Sequence, residues 1–457
     1  MSTSRLPPLV TRPRHWLGGV AYYVRREPLR WIPELIAQHG DLYRIKAALG
    51  QAVVVGNPEW ARQVLADRYS HYQEKSFAYR ILRILFGNGL VTSAGEFWRG
   101  QRKLIQPAFH RHRLDLLFGM MVDRVLVCAD RLSALADSGE AVDMGPAMSA
   151  LTLDIIARAM FSTDVEGAAA RVGEHIGILN EGAIRTLRHP WLFLMPRRWP
   201  FNHRQARALQ DMDRVVLGII QKRRQQPDQH NDLLAMLLSA QSEDTGKGMT
   251  DGQLRDEVMT IFVAGHETTA NAMCWLLYLV SQHPEVEARL LAEIDGQPDP
   301  EVFDPASAAR FPYVRQVIDE SLRMYPSIWS VGRNCTETDE LAGYTIPAGT
   351  NVIIPIFFYH WSERFWENPR RFNPDRFAGG SKAATEKSIY MPFGAGPRSC
   401  IGNHFALQEL VIMTVLVYRR FVFRLEPDFS VEPDPLITLR PKNGMRMKVL
   451  ARRVPGQ

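Results

Sequence analysis

The sequence predicts a mainly α-helical fold with a smaller β-rich part. Apolar residues recur at helical spacing over long stretches, whereas only a few short runs have the character of strands. Hydrophobic residues make up 46% of the 457 residues, which is enough to bury a large core. Length alone favours two or three domains, but no Gly/Ser-rich or Pro-rich linker divides the chain.

The elements follow from these periodicities in chain order. Capping-box spacing between Thr250 and Gln253 marks the start of the longest helix. The predicted helices span residues 28–39, 58–67, 96–106, 115–136, 147–161, 203–225, 250–282, 284–294, 313–325 and 403–419. The strand-like runs span residues 42–45, 52–55, 351–356 and 421–425.

Cys400 lies in the run FGAGPRSCIG at residues 393–402, where glycines, a proline and an arginine frame a single cysteine. Glycine carries no Cβ, so the backbone can close tightly around the sulfur and a bound ligand. An apolar stretch with helical spacing follows, which predicts Cys400 at a helix N-terminus, where a thiolate is favoured. The pattern indicates a thiolate that ligates a metal. The alternative is a glycine-rich turn with a buried cysteine.

This run resembles the haem-binding loop of the cytochrome P450 superfamily, F-x-x-G-x-R-x-C-x-G, at every fixed position. The resemblance implies a cytochrome P450 fold, formed by one haem domain over residues 1–457. It implies haem b (iron protoporphyrin IX) between the long central helix and the cysteine-side helix. It also implies that Cys400 is the axial ligand of the iron and that Phe393 and Arg398 contact the cofactor.

Glu320 and Arg323 lie three residues apart on a predicted helix, so they share one face and can pair. Alone, such a pair is usually part of an ordinary solvated surface. In the resembled family, an arginine of the segment that reads FNPDRF here joins this pair. The resemblance therefore implies that Glu320, Arg323 and Arg376 form a buried structural cluster and take no part in the chemistry.

The long predicted helix contains the run AGHETT at residues 264–269. A glycine inside a helix costs about 1 kcal/mol relative to alanine, and we expect a kink or bulge there. A zinc site of the form His-Glu-x-x-His is excluded, because Ala270 replaces the second histidine. We interpret His266 as an ordinary polar residue of the helix face.

The resembled family carries this motif over the distal face of the haem. The resemblance implies that Glu267 and Thr268 relay protons during the activation of dioxygen. We interpret Thr269 as a helix threonine that bonds back to its own backbone.

Trp98 and Arg102 are four residues apart on a predicted helix and can reach one anionic group, through an N–H donor and a cationic fork. On spacing alone, Trp98 is better explained as a half-buried surface anchor. In the resembled family this pair holds one haem propionate. Arg333 and Arg398 are the candidates for the other propionate.

Composition limits the compartment and the partners. The cysteines are widely scattered and show no paired spacing, which favours a reducing compartment over a disulfide framework. No N-terminal stretch has the apolar length of a membrane span or the pattern of a signal peptide, so we expect a cytoplasmic, bacterial-type enzyme. A net charge of +6 is small and dispersed, which argues against a nucleic-acid partner.

A basic group near the helix at 96–106 is suited to steering an acidic redox partner. The resemblance implies electrons from a ferredoxin or flavodoxin with its reductase, received on the cysteine side near this helix. A solvated basic surface is the alternative. The group comprises Arg99, Arg102, Lys103, Arg111 and Arg113.

The positions of four apolar residues relative to the motifs imply that they face the space above the haem, so we expect a hydrophobic small-molecule substrate. Trp329 is a further candidate, and residues 168–200 are predicted to form a mobile lid. The motif style resembles bacterial members that oxidise lipids and terpenoids with O2. The four residues are Val91, Ala264, Ile328 and Ile437.

Two other functions remain open on the sequence. A haem-thiolate isomerase or peroxygenase would use the same cysteine, but it would not need the Glu267–Thr268 pair. A haem-thiolate sensor without enzymatic activity would need no proton relay either.

Overall fold

The computed structural model describes residues 5–13, 19–47, 50–162, 166–188, 203–225, 232–241, 246–297 and 303–452. Helices dominate the regular structure, as the sequence predicts. Their bounds are α1 Gly19–Arg26, α2 Pro28–His39, α3 Pro58–Arg62, α4 Phe77–Phe86, α5 Gly95–Ile105, α6 Arg111–Leu114, α7 Phe118–Ser138, α8 Met144–Phe161, α9 Glu166–Arg188, α10 His203–Gln225, α11 Leu233–Ser239, α12 Asp251–Ser281, α13 Pro284–Asp295, α14 Pro312–Met324, α15 Ile356–Trp361, α16 Lys382–Glu386 and α17 Asn403–Arg420.

The strands are short and form four small sheets. Their bounds are β1 Leu9–Val10, β2 Leu42–Ala47, β3 Gly50–Val55, β4 Glu74–Lys75, β5 Ala141–Asp143, β6 Val331–Asn334, β7 Asp339–Leu341, β8 Tyr344–Ile346, β9 Asn351–Ile354, β10 Phe421–Leu425, β11 Pro433–Pro435, β12 Leu439–Pro441 and β13 Arg446–Ala451. The sheet orders are β1-β2-β3-β9-β6-β4, β10-β13-β5, β11-β12 and β7-β8.

The central helix α12 begins where the capping box predicts. The Thr250 side chain accepts the Gln253 backbone N–H, and the Gln253 side chain accepts the Thr250 N–H at 2.8 Å. Most of its residues are buried on both sides of the mid-helix run at 264–269. A helix that is buried around most of its circumference belongs in a protein core. This burial explains why such a long helix has no wide polar face.

Some segments differ from the sequence prediction. The strand predicted to reach Ile356 ends at Ile354, because Pro355 cannot donate a ladder hydrogen bond, and α15 begins directly after it. Residues 168–188 of the predicted lid region belong to the regular helix α9, Glu166–Arg188. Residues 189–200 of that region lie outside the described residues.

Contacts group the chain into two compact units. The first unit comprises Met1–Phe77, Asp319–Cys400 and Pro433–Arg440, and the second comprises Ala78–Ile318, Ile401–Glu432 and Pro441–Gln457. The first unit contains the largest sheet, in which β3 pairs with β2 in antiparallel and with β9 in parallel. The second contains α12, α17 and the sheet formed by β10, β13 and β5. Among the described helices, none is both long and apolar enough to cross a membrane.

Candidate active site

The cysteine run forms a closed loop within the first unit. The Cys400 backbone N–H donates to the Phe393 carbonyl at 2.9 Å, and the Cys400 side chain is exposed. Gly394 and Gly396 both adopt positive φ, and a Cβ at Gly396 would overlap the Leu65 carbonyl. These glycines are therefore required by backbone geometry and by close approach, as the sequence pattern predicts. The loop presents a sulfur atom while it satisfies its own backbone.

Three basic side chains lie together in the same unit. Lys75 on β4 is directly opposite Arg333 on β6, and Arg398 donates to the Gln73 carbonyl at 3.0 Å. Burial, and then the charges of Arg333 and Arg398, hold the pKa of Lys75 well below its usual range. Like charges directly opposite in a sheet are destabilising, so this arrangement suits an anionic group. Sequence reasoning missed Lys75, because no motif surrounds it.

The structure brings Glu320, Arg323 and Arg376 together. The Arg323 guanidinium donates two bonds to the Glu320 carboxylate, at 2.7 and 2.8 Å, and both side chains are fully buried. Arg376 donates to the same carboxylate at 3.3 Å, and the Asn373 backbone N–H donates to it at 2.9 Å. This saturation of a buried carboxylate is what an internal ion pair requires.

His360 connects this cluster to the cysteine loop. Arg323 donates to the His360 carbonyl at 2.6 Å, and the Met391 N–H donates to His360 Nε2 at 3.1 Å. Nε2 is thus the acceptor, so Nδ1 carries the proton toward the Arg323 carbonyl, 3.0 Å away. Burial, with the Arg323 charge, lowers the pKa of His360 to about 3. The sequence carried no signal for this residue.

Two of the predicted lining residues lie on segments that are bonded to each other in the first unit. Ile328 is flanked by Ser327 and Trp329, and Trp329 Nε1 donates to the Leu436 carbonyl at 2.9 Å. The Leu439 N–H donates to the Ser327 carbonyl at 2.8 Å. These bonds hold the segment that carries Ile328 beside the segment that carries Ile437, and both residues are half-buried.

In the second unit, α12 is accessible at its first turn and again near its middle. Ala264 is exposed, and Glu267 and Thr268 are half-buried, whereas the helix is largely buried on both sides of them. The Thr268 hydroxyl donates to the Ala264 carbonyl at 2.7 Å. An exposed alanine at the centre of a buried helix marks a space beside that helix, with Thr268 one turn along.

Of the expected kink or bulge at Gly265, the bulge is absent, because α12 is an uninterrupted α-helix from Asp251 to Ser281. A Cβ on Gly265 would lie 3.0 Å from Ile156 Cγ1 of α8. Thr152 of α8 also donates to the His266 carbonyl at 2.9 Å. Close packing between two helices is therefore the physical reason for the glycine. His266 was predicted as an ordinary polar residue of the helix face, and the structure buries it, which lowers its pKa.

Two polar contacts near Thr268 were not predicted. Asn180 of α9 donates to the Glu267 carboxylate at 2.7 Å. Thr269 donates to the Gly265 carbonyl at 3.2 Å, as predicted, and also bonds the carboxyl group of Glu409 on α17. Burial raises the pKa of Glu409 well above its usual range. No local sequence pattern joins these partners.

The predicted propionate residues of the second unit lie on α5. Trp98 is 5% exposed and Arg102 is half-buried, one turn further along the helix. Val91 lies in the turn that precedes α5, and 37% of its surface is exposed. The structure thus places all three in the second unit, and their roles toward a ligand remain predictions.

The residues present fit haem b. The sulfur of Cys400 is exposed on a closed loop. Cysteine sulfur is one of the protein ligands that bind haem iron. A carboxylate accepts hydrogen bonds from arginine guanidinium groups and from a tryptophan N–H. Arg333 and Arg398 contribute to a positive cluster, whose charge an anion would neutralise. Ala264 leaves space beside α12.

Comparison with known proteins agrees with this geometry. The family model described as Cytochrome P450 matches residues 7–448. Cyclooctat-9-en-7-ol 5-monooxygenase of Streptomyces melanosporofaciens is 34% identical over 410 residues, which cover 88% of this chain and 86% of that protein. Pentalenene oxygenase of Streptomyces avermitilis is 33% identical over 444 residues, which cover 96% of each protein. The crystal structure of the cytochrome P450DA heme domain superimposes with a TM-score of 0.86 at 25% identity, covering 99% of both chains. The chain therefore belongs to the cytochrome P450 family, as a monooxygenase with haem b as its cofactor.

Proposed function

We propose that residues 1–457 form one haem domain that inserts one oxygen atom of O2 into a hydrophobic molecule of the terpenoid or lipid class. The reaction is a hydroxylation or an epoxidation. Cys400 would hold the haem iron through its thiolate. The haem, when bound through this thiolate, supplies the activation of dioxygen.

The observation that carries the proposal is the accessible stretch of α12. A long buried helix opens at Ala264 and Thr268, and the acid Glu267 is next to the alcohol in sequence. An acid and an alcohol at this position can hold and pass protons, whereas an isomerase or a sensor has no use for such a pair. Asn180 donates to Glu267 and keeps its carboxylate in one orientation.

The cationic residues and the tryptophan bind and orient the cofactor. Trp98 and Arg102 would donate to one propionate, and Arg333 and Arg398 would donate to the other. Phe393, at the start of the cysteine loop, would contact the cofactor. The cluster of Glu320, Arg323 and Arg376 has a structural role, and it supports the loop through His360.

The substrate class rests on the lining residues and on the relatives. Val91, Ala264, Ile328 and Ile437 are apolar and half-buried or exposed, so they favour a hydrophobic molecule. Two relatives are named as a cyclooctat-9-en-7-ol monooxygenase and a pentalenene oxygenase. These names support a terpenoid ahead of a fatty acid.

We infer that the electrons come from a ferredoxin or flavodoxin with its reductase. Lys103 on α5 and Arg111 and Arg113 on α6 are exposed cations. Such a group raises the rate of encounter with an acidic partner, and salt weakens the effect.

The test is a carbon-monoxide difference spectrum of the reduced holoprotein, followed by a titration with a panel of cyclic terpenes and fatty acids. A Soret band typical of a thiolate-ligated carbonyl complex, together with a spin-state shift for a terpene, supports the proposal. Turnover with a ferredoxin pair must then yield an oxygenated product. Turnover with peroxide alone, and none with reductase partners, would replace the proposal with a peroxygenase.

A further inference from the structure

The turn between α4 and α5 is fastened to the first half of α12. The Asn88 N–H donates to Asp256 Oδ2 at 2.7 Å, and the Leu90 N–H donates to Glu257 Oε2 at 2.9 Å. Residues 87–93, here called the 87–93 segment, include Val91 between these contacts and α5. Consecutive acidic side chains of one helix therefore hold two backbone amides of one turn.

Glycines allow this turn to lie directly on the helix. A Cβ on Gly89 would overlap Thr260 Oγ1, and the Asp256 carbonyl would lie 2.6 Å from it. Gly87 has a φ of 87°, which favours glycine. Any side chain at residue 89 would push the segment away from α12. The close contact therefore requires glycine at this position.

The turn is also rigid internally. The Thr92 hydroxyl donates to the Gly87 carbonyl at 2.6 Å, and the Ser93 N–H donates to the Gly89 carbonyl at 2.9 Å. A turn closed in this way moves as one body, so its position depends on its two attachments to α12. Asp256 is half-buried and also pairs with Arg255, whereas Glu257 is completely buried.

Glu257 has no role in the proposed chemistry. It lies seven residues before Ala264, which is about 10 Å along a helix at about 1.5 Å per residue. Burial raises the pKa of Glu257 to about 8. Among the described residues, nothing bonds its Oε1 atom or the buried hydroxyl of Thr260. A buried acid is costly, so a protein retains one where a bond that it makes is needed.

We propose that Glu257 is a positioning residue that fixes the 87–93 segment on α12 and thereby sets the place of Val91 and the size of ligand that the site accepts. The hydrogen bond from the Leu90 amide to Glu257 is what fixes the segment. The effect on ligand size rests on the proposed function, which assigns Val91 to the substrate space. The attachment of the 87–93 segment to α12 does not depend on the proposed function.

Hydrogen exchange tests the attachment in the holoprotein. Glu257→Leu removes the acceptor at similar volume, and we expect the Leu90 amide to exchange about tenfold faster, since a lost bond of about 1.4 kcal/mol corresponds to a factor of ten. Glu257→Gln keeps an acceptor oxygen and should restore slow exchange. Asp251→Asn, at the exposed start of the same helix, is the matched control. Unchanged exchange of the Leu90 amide in folded Glu257→Leu overturns the proposal.

Azole binding tests the consequence for ligands, because it reports on the space beside the iron without turnover. The probes are imidazole and the larger 4-phenylimidazole, titrated by their spectral shifts. In Glu257→Leu, the ratio of the two dissociation constants should change about fivefold or more, since about 1 kcal/mol is a factor of five, whereas Glu257→Gln should match the parent. Faster exchange with an unchanged ratio overturns the role in ligand selection.

A second variant covers a failure of Glu257→Leu to fold. Gly89→Ala displaces the segment and leaves Glu257 in place, so it should produce the same faster exchange and the same change in the azole ratio. A Gly89→Ala protein with parental exchange and parental ratio contradicts the proposal. Absence of an oxygenated product, with the exchange pattern as expected, refutes the proposed function and leaves the attachment supported.

Discussion

Thr268 shows how one hydroxyl can serve both the helix and a ligand. Its proton is donated to the Ala264 carbonyl at 2.7 Å. A hydroxyl also carries two acceptor lone pairs, so Thr268 can accept a hydrogen bond while it keeps this contact. The neighbouring Glu267 is held by Asn180, at 2.7 Å. These two side chains are the proposed means of holding and passing protons in the accessible part of α12.

Replacing Thr268 by alanine should uncouple electron consumption from product formation. Removal of the hydroxyl interrupts proton delivery, and proton transfer by a positioned group typically contributes about 100-fold or more. We expect the ratio of hydrogen peroxide to oxygenated product to rise about tenfold or more, at nearly constant electron consumption. Peroxide and product are measured per reduced nicotinamide consumed with a ferredoxin pair.

Thr268→Ser is the matched control for this experiment. Serine retains the hydroxyl, so its coupling should lie close to that of the parent. Parental coupling in Thr268→Ala would show that protons reach the site by another route.

At the scale of elements, the contact between α8 and α12 explains a residue that the sequence left ambiguous. Gly265 interrupts the helical pattern, and the sequence suggested a kink there. The structure shows an uninterrupted α-helix packed against Ile156. Ile156 of α8 already fills the space that a side chain at residue 265 would need. The sequence of α12 alone cannot show this.

Gly265→Ala and Gly252→Ala should therefore have opposite effects on stability. Gly252 lies in the same helix with nothing near its Cβ position, so alanine should stabilise the protein by about 0.5–1 kcal/mol. At Gly265 the new Cβ would lie 3.0 Å from Ile156, and overpacking should destabilise by about 1–3 kcal/mol. Urea unfolding of both holoproteins measures the difference. Equal stabilisation by the two variants would disprove the packing argument.

Within the first unit, α14 depends on its buried arginine. Arg323→Ala leaves the Glu320 carboxylate buried without its main partner and should cost about 3–5 kcal/mol, so little folded holoprotein should be recovered. Arg376→Ala removes only one longer bond to Glu320 and should cost about 1.5–3 kcal/mol. Soluble, haem-loaded yield is compared for the two variants. A normal yield of Arg323→Ala would rule out the structural role.

For the whole molecule, two buried groups give stability a defined pH dependence. Folding lowers the pKa of His360 from its ordinary 6.5 to about 3, so between these values the unfolded chain binds a proton that the folded chain does not. Its contribution is present above pH 6.5 and is lost as pH falls. Folding raises the pKa of Glu257 from 4.5 to about 8, so the folded chain binds the extra proton. This contribution is complete below pH 4.5 and is lost as pH rises toward 8.

The stability of Glu257→Gln relative to the parent protein should therefore increase as pH rises. The difference in unfolding free energy should grow by about 1.4 kcal/mol per pH unit between roughly pH 5 and 8 and be constant outside this window. Urea unfolding of the holoproteins at several pH values gives the difference. His360→Gln should show the opposite trend, gaining as pH falls below 6.5. A pH-independent difference for both variants would contradict the assignment of these groups.

Much of the architecture was predictable from local patterns. The bounds of α2 and α10 and of strand β10 match the prediction residue for residue. The short strands β6, β7 and β8 were missed, because runs of three or four residues are too short to show a period. Helix α9 was not among the predicted helices, since its region was assigned to a lid on its content of Leu, Trp and Arg.

The sequence by itself determined the family, the helical character, the cysteine loop and the pairing of Glu320 with Arg323, because these depend on residues at short fixed spacings. Only the tertiary structure decided which buried polar groups meet. Asn180 and Glu267 are 87 residues apart, Leu90 and Glu257 are 167 apart, and His360 and Met391 are 31 apart. Periodicity reports on local conformation, whereas the partner of a buried polar group is chosen by the packing of distant segments.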